Sequence, residues 1–230
     1  VPVKSATPSP LSQLLALIGK DLRIESRSRQ TLGLVVVLGL LIIVVLGLGL
    51  NARSAKGFSA TAVLWVAYLF SGVLCFEKTM GVERNDGAIA GLLMAPVDRG
   101  VIFIAKLISN LVLMLAVAAV VTPAGILFFS FDLSAAPAAF AVVMSLSILG
   151  FAAVGTLFAA MVSSTRLQGG LLAMMVFPVA LPLVIASTQL LLRVFREGQA
   201  LAAGDLGVIV AFDVVFLVAS WLLFEWVLEP

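Results

Sequence analysis

The chain has no histidine, a single cysteine and only 11% charged residues in a length of 230. Each shortage excludes something. Without histidine, the commonest general base, zinc ligand and haem axial ligand are all missing from this chain. The lone Cys75 admits neither an internal disulfide nor a multi-cysteine zinc site. Water-exposed domains carry about 25% charged residues, so the composition comes close to excluding a water-exposed fold. The net charge of +2 is too small and too scattered for nucleic acid. No G-x-x-x-x-G-K-[ST] motif occurs, so the chain lacks the usual phosphate-binding loop for ATP. There is no internal repeat and no low-complexity tract.

Apolar residues are abundant instead, at 62%, with a mean hydropathy of +1.22. A membrane helix needs about 20 mostly apolar residues. Six stretches meet that need, at about 31–50, 58–76, 107–131, 137–162, 167–192 and 206–224. They leave no room for a soluble domain. The fold class expected is an all-α integral membrane protein with six transmembrane helices. It forms a single membrane domain over 11–230, after a flexible Pro- and Ser-containing tail at 1–10. The first span is longer than the roughly 7–15-residue core of a signal peptide and reads as a retained anchor. Pro178 and Pro182 in the fifth span remove helical N–H donors and favour a bend, which either lines a cavity or is a structural kink.

Ahead of the first span, Ser9-Pro10 suits a helix start. Leu11, Leu14, Leu15, Ile18 and Leu22 then recur at helical spacing. Lys20, Arg23 and Arg27 lie elsewhere on the circumference. An amphipathic helix over 11–29 lying in the membrane interface fits this pattern, as does a basic flank that only orients the next span. Lysine and arginine set the topology. With the N-terminus inside, the inner segments hold Lys4, Lys20, Arg23, Arg27, Arg29, Lys78, Arg84, Arg99, Lys106 and Arg166, against Arg53, Lys56, Arg193 and Arg196 outside. Both termini are therefore expected in the cytosol.

The longest polar insertion, 77–100, then faces the cytosol too. It holds Glu77, Lys78, Glu83, Arg84, Asp86, Asp98 and Arg99. Asp86 is placed to cap a short helix from Gly87 to Ala95, and Pro96 to stop it. Ile89, Leu92 and Leu93 share one face of that helix. Such a helix docks into a partner's groove or lies on the bilayer. Asp213 is the only acid well inside a span, and an intramembrane carboxylate is a candidate functional group by default.

The pattern Glu83-Arg84-x-Asp86-Gly87-Ala-x-x-Gly91-Leu92-Leu93-x-Ala95-Pro96-Val97-Asp98-Arg99 resembles the cytosolic loop of the haem exporter protein B (CcmB) family. Lys20-Asp21-Leu22-Arg23-x-Glu25-x-Arg27-Ser28-Arg29, Leu64-Trp65-Val66-Ala67, Lys106-Leu107-x-x-Asn110-Leu111 and Leu181-Pro182-Leu183-Val184-Ile185-Ala186 extend the likeness over roughly 11–230. This chain departs from the family loop at Ala90 and Asn85, where acidic residues are usual and frequent respectively. The resemblance implies an ABC-2-like permease subunit for c-type cytochrome biogenesis, in a bacterial inner membrane. It implies a separate ATPase resembling CcmA, subunits resembling CcmC and CcmD, a haem chaperone resembling CcmE, and a second copy of the chain. The loop would be the coupling helix, with Glu83, Arg84, Asp86, Gly87, Ile89, Leu92, Leu93 and Pro96 facing the ATPase. No cofactor would be bound directly: ATP is used by the partner, and haem is handled by the complex, with hydrolysis tied to release of the loaded chaperone. The competing expectations are an ABC-2 permease for another substrate and an ATP-independent carrier using Asp213.

Overall fold

The structure is a computed structural model and describes residues 9–28, 30–49, 58–85, 97–129, 132–163 and 170–227. Among the described residues there are seven α-helices and no strand. They are α1 (Pro10–Ser28), α2 (Gln30–Gly49), α3 (Phe58–Asn85), α4 (Arg99–Phe129), α5 (Pro137–Ser163), α6 (Leu171–Arg196) and α7 (Gly207–Val227). Helices α2 to α7 supply six segments long and apolar enough to cross a membrane. The all-α expectation with six spans therefore holds.

Burial ranks the helices. In the most apolar windows of α3 and α5, 67% and 61% of residues are buried within the protein, against 22% in α2 and 17% in the α7 segment. Helices α3 and α5 therefore form the centre, with α6 at 33%, α4 at 28%, α2 and α7 around them. The sequence anticipates this division. Helix α2 is close to uniformly apolar and buries only a thin stripe at Thr31, Val35, Gly39, Ile43 and Gly47. Lipid solvates its remaining faces, so nothing selects a polar side.

The contact between α3 and α5 is built from two interlocked pairs. Gly72 of α3 lies against Phe151 of α5, and Gly155 of α5 lies against Phe76 of α3. Both pairs advance by four residues in the same direction, so these two helices run parallel, as alternate members of an up-and-down bundle must. The Phe76 and Phe151 ring centroids are 5.3 Å apart. Trp65 meets Phe151 edge-on at 6.4 Å. Small residues that let helices approach closely take the place of a hydrophobic driving force, which lipid cannot supply.

Helices α3 and α4 are longer than their spans require. Their 28 and 31 residues reach about 42 and 46 Å at ~1.5 Å per residue, against a hydrocarbon core of about 30 Å. Helix α3 runs past Phe76 through Glu77, Lys78, Glu83 and Arg84 to Asn85, and α4 is already helical at Arg99. No proline interrupts 77–85, and leaving lipid does not by itself end a helix. Helix α6 also continues through Pro178 and Pro182. Pro182 lines a groove of about 440 Å³ shared with Gln189 and Arg193 of α6 and Val208 of α7.

In the link between α4 and α5, Asp132 Oδ1 accepts from Ser134 N at 3.0 Å and from Ser134 Oγ at 2.6 Å. These bonds to its charged form hold the carboxyl below the usual aspartate value. The stabilisation is complete above the ordinary value near about 4 and disappears as the pH falls through the lower native one. Asp132 is exposed, so the effect is local. Asp132→Ala should speed amide exchange at Ser134 and leave exchange in the six long helices unchanged.

Candidate functional site at the polar end of the bundle

Helices α3 and α4 present the ends that flank the 77–100 insertion at one end of the bundle. Helix α4 starts with a cap: Gly100 N donates to Asp98 Oδ1 at 2.7 Å, and Val101 N and Ile102 N donate to the Asp98 carbonyl. An acid at this position also meets the positive end of the helix dipole. The last turns of α7 pack on the same region. Trp221 lies against Gly100, and Phe224 meets Phe103 at a ring separation of 5.2 Å.

One layer deeper, five helices share a polar cluster. Lys106 of α4 is only 5% exposed and forms an ion pair with Asp21 of α1 at 2.8 Å. Glu25, one turn along α1, is buried, and its Oε1 accepts from Leu32 N at 2.6 Å. That bond satisfies one of the unpaired donors in the first turn of α2. On α4, one turn beyond Lys106, Asn110 accepts from Thr79 of α3 and donates to Thr156 of α5, both at 2.9 Å. A cavity of about 40 Å³ sits among Asp21, Glu25, Thr31, Lys106, Ser109 and Asn110. Volume and lining suit one ordered water, for which Ser109 Oγ, unbonded among the described residues, is a natural partner.

The cluster accounts for the orientation of α1. Ser9 Oγ accepts from Ser12 N, and the helix begins at Pro10. Of the leucine stripe, Leu14, Ile18 and Leu22 are partly covered, while Leu11 and Leu15 project outward at 72% and 68% exposure. The inward face turns instead toward Asp21 and Glu25, because each has a partner there that water would otherwise have to replace.

The sequence-derived candidates fall into three groups. Glu83 and Arg84 lie on the last turn of α3, with side chains outside what the structure describes. Asp86, Gly87, Ile89, Leu92, Leu93 and Pro96 lie outside the described residues altogether, as does the helix expected over Gly87 to Ala95. Lys20, Arg23 and Arg27 are all on α1: Arg23 and Arg27 are exposed, and Lys20 approaches Asp21 at 3.3 Å. Asp213 is apart from these. It is 4% exposed, sits on α7 against Gly150 of α5, and neither carboxylate oxygen has a hydrogen-bond partner among the described residues. Among the described residues no group of three or more His, Cys, Asp or Glu side chains could hold a metal ion.

Asp21, Glu25, Lys106, Asn110, Thr79 and Thr156 were not among the candidate residues, although they make the best-connected polar cluster. A signal existed: Asp21/Glu25 and Lys106/Asn110 are both spaced i, i+4, so each pair occupies one helix face. Removing Asn110 tests the cluster's worth. Asn110→Ala takes the donor from Thr156 Oγ1 and leaves Thr79 only its bond to the Phe76 carbonyl, and should cost about 1–3 kcal/mol. The shift is readable as a lowered unfolding midpoint in detergent, with Thr156→Val adding little on the Asn110→Ala background.

Six apolar spans with buried polar ties between them define a multi-pass membrane protein, with a polar end where two extended helices emerge. The chain matches the CcmB protein family over residues 12–225, nearly its whole length, and it belongs to that family. It is thus the membrane permease component of a haem-export ABC system, and as such not itself the ATPase. The comparison with curated proteins gave no match.

Proposed function

We propose that the chain converts ATP hydrolysis by a separate subunit resembling CcmA into movement of its six spans, and that this drives release of a haem-loaded chaperone resembling CcmE. The family match over 12–225 carries this reading. Support comes from the helices that bracket the 77–100 insertion. Helices α3 and α4 are continuous from the insertion into the middle of the bundle, so force applied between them reaches the core directly. Glu83, Arg84, Asp86, Gly87, Ile89, Leu92, Leu93 and Pro96 form the ATPase-facing element, and α1 lies in the membrane interface with Lys20, Arg23 and Arg27 toward lipid headgroups. The termini face the cytosol across the inner membrane. Subunits resembling CcmC and CcmD and a second copy of this chain complete the complex. Haem is handled by those partners, since this chain has no histidine to ligate it.

Purification of the tagged chain in mild detergent tests the assembly. An ATPase carrying a phosphate-binding loop should co-purify, and Glu83→Ala should lower its retention or its activity. Isolation of the chain without any ATPase, under conditions that keep other membrane complexes intact, would overturn the reading.

A further inference from the structure

The polar cluster joins α1 to the helix that leads out of the insertion. Lys106 lies seven residues into α4 from Arg99, about 10 Å along the axis at ~1.5 Å per residue. Its ammonium is buried and meets Asp21 Oδ2 at 2.8 Å. On the other side of Asp21, Glu25 holds the first turn of α2 through Leu32 N. A displacement of α4 along or across its axis therefore pulls on α1 and on the start of α2 through a buried, charge-assisted contact. Such contacts are short and directional, and releasing one partner leaves the other charge buried, which resists slippage. By contrast, the leucines of α1 that project outward offer α4 nothing to grip.

We propose that Lys106 is a positioning residue for the ATP-driven step: its pair with Asp21 makes α1 move as one body with the inner half of α4. The interfacial helix is then a moving part of the machine rather than a fixed anchor. This rests on the reading that the 77–100 insertion couples the chain to an ATPase. Asp21 and Lys106 contact no substrate. They set which helices travel together.

The test uses the assembled complex in lipid nanodiscs. Spin labels go at Ser26→Cys on α1 and Ile104→Cys on α4, both exposed positions; the native Cys75 is buried at 1% exposure and stays unlabelled. With native Lys106, the distance distribution between the labels should keep its width when ATP is added. With Lys106→Met it should broaden or split on ATP addition. In cells, the yield of c-type cytochrome per ATP hydrolysed should fall about tenfold, within the usual range of coupling free energies. Lys106→Arg, which keeps the charge, should restore both readouts. Asp21→Asn, a milder lesion, should reproduce the Lys106→Met behaviour. Mere loss of folded complex lowers ATPase activity and cytochrome yield together and leaves their ratio alone, so the ratio separates positioning from stability. Leu92→Pro, in the middle of the helix expected over Gly87 to Ala95, serves as the control on coupling itself. If Leu92→Pro leaves the ratio unchanged, the coupling reading falls and this inference with it. If Leu92→Pro lowers the ratio while Lys106→Met and Asp21→Asn change neither ratio nor distances, this inference alone is overturned.

Discussion

Gly155→Val is expected to deprive the bundle of its central contact and sharply reduce the amount of folded protein. A Cβ at this position would fall within the ring of Phe76, on Cδ2 and Cε2, with Cζ at 2.9 Å. Phe76 is fully buried and has Phe151 beside it, so the ring has nowhere to go without displacing α5 from α3. Gly72→Val meets Phe151 in the same way, with Met114 behind it at 3.2 Å. Overpacking of this kind costs typically about 1–3 kcal/mol, occasionally more, against total stabilities of about 5–15 kcal/mol. The sign is diagnostic. In an unconstrained helix interior, replacing glycine by alanine stabilises by up to about 1 kcal/mol, so Gly155→Ala should lower the unfolding midpoint only if the interlock is real. Phe76→Ala alone should cost about 3–5 kcal/mol from the cavity it leaves. Combined with Gly155→Val it should cost less than the two single changes summed, because the valine occupies part of the vacated space. Unfolding followed by size-exclusion chromatography of a fluorescent fusion reads all five variants. A Gly155→Val protein with the native midpoint would contradict the α3–α5 interlock.

Leu92→Pro is expected to remove function while leaving the fold intact. The position lies in the insertion, outside the described residues, where the sequence places the middle of a short helix capped by Asp86. Proline in a helix interior removes an N–H donor and clashes with the carbonyl four residues back, so it breaks that helix without touching the spans. Binding surfaces concentrate their energy in a few residues whose loss costs about 2 kcal/mol or more, and each 1.4 kcal/mol is about tenfold in affinity. Cytochrome yield should therefore drop at least about tenfold at unchanged membrane abundance. Glu83→Ala should give a smaller loss, since its backbone on α3 is unaffected. A Leu92→Pro strain with normal covalent haem content and normal chain abundance would remove the insertion from the coupling path.

The features legible in the sequence were those set by solvent. Gaps between charges mark the spans because lipid excludes charge, and α2 through α7 appear where those gaps fall. What escaped was set by partners distant along the chain. Asp21 and Glu25 look like ordinary solvated acids beside Lys20 and Arg23. Only Lys106 and the first turn of α2 make the buried orientation favourable, and neither pairing is encoded locally. The extent of α3 to Asn85 was missed for a related reason: charge ends a span but does not end a helix. The Gly72/Phe76 and Phe151/Gly155 spacings are visible in the sequence, yet nothing in one sequence pairs them. Asp213 stands out in the sequence as an acid well inside a span, and its placement against Gly150 gives it a neighbour without giving it a role.

The central claim is that this permease serves covalent haem attachment in c-type cytochromes. Deletion of its gene in the source organism, followed by haem staining of membrane and periplasmic proteins, tests it most directly. The expected result is loss of all c-type cytochromes, with non-covalently held haem proteins unaffected, and full restoration by the intact gene but not by the Leu92→Pro form. Covalent haem at undiminished levels in the deletion strain would contradict the account.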